Sequence, residues 1–223
     1  MINLVIPPQQ NQGIGKKYYS LDKLFSFCVF VSIISIFFGC ARYEVKNIDS
    51  SGEGIICFGN SITAGSGFSK EEVYPYLLSE LLNCPVINAG QGGDTSSDGL
   101  RRLEKDVLTY KPRLVIIEFG GNDFLRKLPL SQTVNNIRIM VERIQEKGAM
   151  VAIADVSSGM IMSGYRNSYK KLARQTQAIF IPNLLKGIIT DPTLKSDSIH
   201  PNAEGHRIIA ERIYQAIEPY LNR

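Results

Sequence analysis

The sequence holds no tryptophan and only two histidines, His200 and His206, and its charges nearly cancel, at a formal +4 over 223 residues. Each scarcity excludes something. With two histidines, and neither a His-Glu-x-x-His nor a paired Cys-x-x-Cys pattern, a zinc site has no ligand set, and no metal or cofactor is expected. The charge forms no basic stripe. Arg101-Arg102 and Lys170-Lys171 are short pairs that read as solvated helix faces, so no nucleic-acid partner is expected. The missing tryptophan, with no cluster of other aromatics, argues against a sugar-binding cleft. No internal repeat or low-complexity tract is present. At 44% apolar and 21% charged residues, the composition suits one globular domain with a full core, plus room for a targeting segment.

Long apolar runs are scarce too; the single one lies near the N-terminus. Lys16, Lys17 and Lys23 precede Leu24 to Phe38, fifteen residues without a charge, and Gly39-Cys40-Ala41 follows. A basic stretch, an apolar stretch and a small residue, in that order, describe an export signal. The eighteen uncharged residues from Leu24 to Ala41 barely match the thickness of a bilayer, so an uncleaved anchor is the alternative. Phe37-Phe38-Gly39-Cys40 resembles a bacterial lipoprotein box, whose cysteine is lipidated and becomes the new N-terminus, although Phe37 stands where leucine is usual. The reading is an export signal at 1–39, an anchor and linker at 40–53 with Cys40 lipidated, and a folded domain at 54–223. The protein is then exported and held on a bacterial cell membrane, facing the periplasm or the exterior.

Two cysteines remain in the domain. Cys57 falls near the end of the first predicted strand and Cys84 just before the second. In neighbouring parallel strands they stand roughly 10 Å apart, too far for a disulfide. Two buried thiols are expected, and neither has a candidate base beside it.

From Gly54 onward, short apolar runs alternate with amphipathic stretches. Strands are predicted at Ile55–Phe58, Val86–Asn88, Leu114–Phe119, Met150–Ile153 and Ala178–Ile181. Between them lie helices at Glu71–Leu82 (Val73, Leu77 and Leu81 inward), Ser97–Tyr110, and a stretch through Val134, Ile137, Val141 and Ile144 that Gly148 ends. A last helix covers Glu204–Tyr220, with Ile208, Ile209, Ile213 and Ile217 inward. This alternation predicts an α/β fold: a flavodoxin-like, doubly wound, five-stranded parallel sheet with helices on both faces. Ligands of such sheets bind beyond the carboxyl ends of the strands.

Four short motifs fall where such a site would lie. Gly59-Asn60-Ser61 follows the first strand, Gly92-Gly93-Asp94-Thr95 the second, and Gly120-Gly121-Asn122-Asp123 the third. Asp197-Ser198-Ile199-His200 precedes the last helix. Each alone reads as an ordinary turn or helix cap, with Asp94 or Ser96 as the cap of the following helix. Together they supply what serine acyl transfer needs: a nucleophile, a base, an acid that orients the base, and amide donors for an oxyanion. Ser61 is the candidate nucleophile and His200 the candidate base. Asp197, three residues before His200, can fix the imidazole tautomer. His206, inside the last helix, has no such partner and reads as a surface or packing residue.

On these blocks the segment from Gly54 to Leu221 resembles the SGNH (or GDSL) hydrolase superfamily, named for a catalytic serine, glycine, asparagine and histidine. Those positions match Ser61, Gly93, Asn122 and His200, with Asp197 completing the triad. The resemblance implies that the Ser61 and Gly93 backbone amides and the Asn122 side chain hold the oxyanion, and that no metal takes part. Ile87-Asn88-Ala89-Gly90 and Glu118-Phe119-Gly120-Gly121-Asn122-Asp123 look most like the exported thioesterase, arylesterase and lysophospholipase branch. The expected substrate is a small-molecule or lipid acyl ester or thioester. The alternatives are a carbohydrate O-deacetylase or acyltransferase, and a surface lipoprotein that uses the fold only for binding. One residue departs from the pattern: Asn60 stands where the first block usually has aspartate, and its amide can keep the loop's hydrogen bonds without the charge. For the acyl group, Gly159 to Tyr165 reads either as a mobile pocket wall or as a plug of the core edge, with methionines adapting to shape. Phe124-Leu125 and Leu184-Leu185 are candidates for the same cleft.

Overall fold

The computed structural model describes residues 44–157 and 162–221. The export-signal reading, Cys40, Met160 and Ile161 lie outside the described residues. In chain order the elements are β1 (Ile55–Gly59), α1 (Ser61–Ala64), α2 (Tyr74–Leu82), β2 (Val86–Gly90), α3 (Ser96–Asp106), β3 (Leu114–Glu118), α4 (Gly121–Leu125), α5 (Leu130–Glu146), β4 (Met150–Ala154), α6 (Ser163–Thr176), β5 (Ile179–Ile181) and α7 (Ala203–Leu221). Short 3-10 turns stand at Lys70–Glu72, Leu108–Tyr110 and Pro192–Leu194.

The strands form one parallel sheet in the order β2-β1-β3-β4-β5. This is the doubly wound order, and its switch point lies at the carboxyl ends of β1 and β3. Successive strand residues point to opposite faces, so each apolar run feeds two cores. Ile56, Phe58, Val115 and Ile117 pack with Leu103 of α3, Ile137 of α5 and Leu172 of α6. Ile55, Cys57, Leu114 and Ile116 pack with Leu78 of α2 and Ile213 of α7. No helix among the described residues is long and apolar enough to cross a membrane.

Several elements depart from the sequence expectation. The helix expected from Glu71 is a 3-10 turn followed by α2, and Pro75 occupies the first turn of α2. Proline, with no N–H to donate, is favoured in that first turn, and the buried positions fall one residue later than expected. Tyr74 and Leu78 are buried, whereas Leu81, expected inward, is 45% exposed. The cap of α3 is neither Asp94 nor Ser96 but Thr95, in a reciprocal capping box with Asp98. The α-helix stops at Asp106, and its expected end is the 3-10 turn Leu108–Tyr110.

β2, expected as a strand over Val86–Asn88, extends to Gly90 and is half-exposed because it forms an edge of the sheet. Cys84, on the turn leading into that edge, is half-buried rather than buried. Both thiols are free. Cys57 lies beside Asn88 in the register, four residues from Cys84. Burial raises the Cys57 thiol pKa far above its ordinary value, which leaves it un-ionised and a poor nucleophile.

Candidate active site

The first motif is a strand end turned straight into a one-turn helix. Asn60 caps α1 through its side-chain oxygen, which accepts from the Ile62 N–H at 3.0 Å. Its amide nitrogen donates to Glu118 Oε1 at 3.1 Å. Ser61 is thereby the first helical residue, with its hydroxyl at the carboxyl end of β1. Ser61 Oγ lies 2.9 Å from His200 Nε2 across a sequence separation of 139 residues.

His200 is held by its own loop. Asp197 Oδ1 accepts from the backbone N–H groups of Ile199 (2.8 Å) and His200 (2.9 Å), and Asp197 Oδ2 lies 2.7 Å from His200 Nδ1. With the Nδ1 proton committed to the carboxylate, Nε2 is free to accept the serine proton. Those donors, the Ile199 amide first and then the His200 ring and amide, lower the Asp197 pKa to about 2. It is an anion throughout the neutral and mildly acid range.

Asn122 stands in the first turn of α4, and its amide donates to the Asp94 carbonyl at 2.8 Å. One of its two N–H bonds is thus used for orientation, which leaves the other for a ligand. Gly93 has φ +80°, a left-handed backbone that L side chains rarely adopt, and its carbonyl accepts from Arg126 at 2.8 Å. Gly120, with φ +117°, has no room for a side chain: a Cβ would stand 2.3 Å from the Tyr169 hydroxyl. Asp123, fully buried beside Asn122, accepts from the Ser96 N–H (2.9 Å) and the Thr133 hydroxyl (3.0 Å), tying α4 to α3 and α5.

Ser61, Asn122 and His200 line one cleft of about 130 Å³. Its walls are apolar, drawn from Ile62, Phe124, Leu125, Met162, Leu185 and Ile189 among others. Gly93 is not one of its walls; it sits on the adjacent loop, joined to Asn122 through the Asp94 carbonyl. Leu184, expected in the cleft, is fully buried in the core beneath it, while Leu185 does face the cleft. Met162 serves both readings of its segment, since it lines the cleft and packs into the core. The wall near Val156 is anchored by the buried Asp155, which accepts from Arg166 at 2.8 Å and from the Asn183 N–H at 3.1 Å.

His206 is a packing residue. It is 1% exposed, with its ring 5.6 Å from Phe68 and 6.3 Å from Tyr74. Burial, helped by repulsion from His200, lowers its pKa to about 4, so it is neutral. Two polar groups next to the motifs, the buried Glu118 and the partly buried Arg102, escaped the sequence reading. Glu118 carried the only available signal, a carboxylate inside an otherwise apolar strand. Arg102, read as solvated, is only 13% exposed, with its guanidinium 4.5 Å from the Phe58 ring centroid. Among the described residues no group of three or more His, Cys, Asp or Glu side chains gathers as a metal site.

A doubly wound parallel sheet, with a serine, an imidazole and a carboxylate converging at its switch point beside an apolar cleft, defines a hydrolase of the SGNH type that acts on carboxylic ester bonds. A family profile matches residues 57–208, and the chain belongs to the GDSL-like Lipase/Acylhydrolase family. It is 32% identical to an arylesterase of Vibrio mimicus over 76% of this chain and 90% of that protein. It is 27% identical to thioesterase 1/protease 1/lysophospholipase L1 of Escherichia coli strain K12, over 75% of this chain and 85% of that one. Among solved structures it superposes on the psychrotrophic esterase EstA from a Pseudoalteromonas species, inhibited by monoethylphosphonate. There the TM-score is 0.68 at 27% identity, covering 77% of this chain and all of that one.

Proposed function

We propose that the protein hydrolyses acyl esters or thioesters through an acyl-enzyme on Ser61. The supporting observation is the continuous relay from Ser61 Oγ through His200 to Asp197, with spacings of 2.9 and 2.7 Å, at the mouth of an apolar cleft. Ser61 Oγ attacks the carbonyl carbon while its proton passes to His200 Nε2. The carbonyl oxygen becomes an oxyanion, held by the Ser61 and Gly93 amides and the Asn122 side chain. Collapse expels the alcohol or thiol, which takes the proton from His200. Water then attacks the acyl-enzyme, giving a proton to His200, and the free acid leaves as Ser61 is reprotonated.

The cleft favours short to medium acyl chains. An apolar cavity of about 150 Å³ holds a benzene-sized ligand. The present cleft therefore encloses a chain of about six carbons by that comparison. Longer chains run out over Leu125 and Ile199, which are 54% and 40% exposed.

Export and anchoring through a lipid on Cys40 belong to the same reading, supported by the basic and apolar segments that precede it. The lipid holds the cleft near a membrane that offers acyl substrates. The test uses the full chain and its Ser61→Ala variant on nitrophenyl esters of increasing chain length. Hydrolysis that peaks at about six carbons and disappears in the variant is expected; turnover retained by the variant removes Ser61 from the mechanism. For the anchor, Cys40→Ser is expected to leave the membrane fraction, and a variant that still sediments with membranes points to an uncleaved helix instead.

A further inference from the structure

The three donors assigned to the oxyanion come from separate segments beyond the strand ends: Ser61 opens α1 after β1, Gly93 lies on the loop after β2, and Asn122 stands in the first turn of α4 after β3. Loops at strand ends are the parts of a fold least constrained by packing, yet an oxyanion site works only when its donors are held to a fraction of an ångström. One side chain spans the gap. Arg102, on α3, donates from Nη2 to the Gly59 carbonyl at 2.8 Å, two residues before Ser61. From Nη1 it donates to the Ala89 carbonyl at 2.8 Å, near the end of β2, and to Asp106 at 3.1 Å. From Nε it donates to Asp94 Oδ2 at 2.6 Å, and Asp94 directly follows Gly93. The Asp94 carbonyl in turn receives the Asn122 amide at 2.8 Å. Every donor loop is thus one or two hydrogen bonds from a single guanidinium.

The geometry points to Arg102 as the positioning residue of the oxyanion site: it locks the Ser61 turn to the Gly93 loop and, through Asp94, sets the direction of the Asn122 amide. This rests on the roles proposed above for Ser61, Gly93 and Asn122. Only a guanidinium fork serves these acceptors together, because a lysine ammonium is a compact point charge on a flexible stem. The fork is also confined, lying over the Phe58 ring on one side and paired with two carboxylates on the others. Its partners Gly59, Ala89, Asp94 and Asp106 line none of the apolar cleft. The consequence of disturbing it therefore falls on the transition state, where the oxyanion forms, and not on the binding of the acyl chain.

The experiment compares the full-length wild type with Arg102→Lys, Asp94→Asn and Ser61→Ala, after thermal melts establish which variants are folded. For Arg102→Lys, kcat on a nitrophenyl ester is expected to fall about 10- to 100-fold, with KM changed by less than about three-fold. Affinity for a trifluoromethyl ketone, which forms a tetrahedral adduct on a serine hydroxyl, is expected to weaken with kcat. Asp94→Asn keeps the two carbonyl contacts of Arg102 and its pair with Asp106, and loses the charge of the Asp94 contact. It is expected to shift kcat and ketone affinity in the same direction by a smaller factor, and it decides the matter if Arg102→Lys does not fold. A folded variant with kcat near that of the wild type overturns the assignment. So does a loss confined to KM with ketone affinity unchanged. Failure of the underlying reading is seen separately, as turnover that survives in Ser61→Ala.

Discussion

The Asn60 amide and the Glu118 carboxylate meet at 3.1 Å directly behind the Ser61 turn, both almost completely buried. Glu118 also accepts from the Thr63 hydroxyl at 2.9 Å and, more weakly, from the Asn60 N–H at 3.4 Å. All three partners are neutral. Asparagine in place of the usual aspartate of this motif therefore puts a donor against Glu118, where aspartate would put a second carboxylate. Burial pushes the Glu118 carboxyl up to about 7, against the hydrogen bonds that favour its ionised form.

This pair has a measurable pH consequence. Glu118 binds its proton more tightly folded than unfolded, so its contribution to stability is present at low pH and is lost as the pH rises from about 4.5 through 7, by up to about 3 kcal/mol. His206 acts in the opposite sense, since its folded pKa of about 4 lies below the ordinary 6.5 and its contribution is lost as the pH falls through that window. The stability difference between Glu118→Gln and wild type should therefore shift in the variant's favour as the pH rises from 5 to 8, by about 1–3 kcal/mol. Urea midpoints at four pH values check this; a difference that does not change with pH sinks it.

Asp197 is exposed, yet it fixes both the His200 ring and the turn that carries it. Asp197→Ala should lower turnover on the order of 10³-fold or more, the scale seen when the orienting acid of a serine triad is removed. Its low pKa also means that the acid limb of the wild-type rate profile should show no inflection from Asp197 at mildly acid pH. A variant within ten-fold of wild type by a stopped-flow ester assay would leave His200 acting without its aspartate.

Asn122→Ala should cost about 10²–10³-fold in kcat if the side chain holds the oxyanion. The same substitution leaves the Asp94 carbonyl without its donor at a half-buried position, which costs about 1 kcal/mol of stability. Comparing kcat with the melting temperature of the same sample separates the two effects. Normal turnover in the folded fraction would assign Asn122 to structure alone.

Leu125 offers a test of the acyl cleft that leaves the core untouched, being 54% exposed on the rim. Leu125→Ala should leave acetyl esters unaffected and lower kcat/KM on ten-carbon esters by about five-fold, from roughly 1 kcal/mol of lost methylene contact. An equal loss at every chain length would place the acyl chain elsewhere.

The local rules of the chain made much of this architecture legible. Apolar runs at Ile55, Leu114 and Met150 are strands because β-branched residues fit a doubly covered sheet. Isoleucines at 209, 213 and 217 mark the stripe of α7 because the helical period brings them to one side. Ser61, Asn122 and His200 stand out because each is a polar group on a turn that ends or follows an apolar element. What stayed hidden shares a cause. Arg102 looks solvated in the sequence because its partners, Gly59, Ala89 and Asp94, come from other segments. Leu184 and Leu185 are alike in composition, and only the turn after β5 decides which one faces the cleft.

Sequence alone thus determined the kind of elements, their order, and the residue types available for acyl transfer, since these depend on periodicity and on chemistry carried by single side chains. Tertiary structure decided which of those groups meet. The 2.9 Å contact between Ser61 and His200 exists because the parallel sheet delivers the end of β1 and the loop before α7 to one edge. The same convergence buries Glu118 and partly buries Arg102, changing a carboxyl and a guanidinium that would be ordinary in water into groups held by neighbours. Burial and long-range pairing are properties of the packed chain, and no local pattern encodes them.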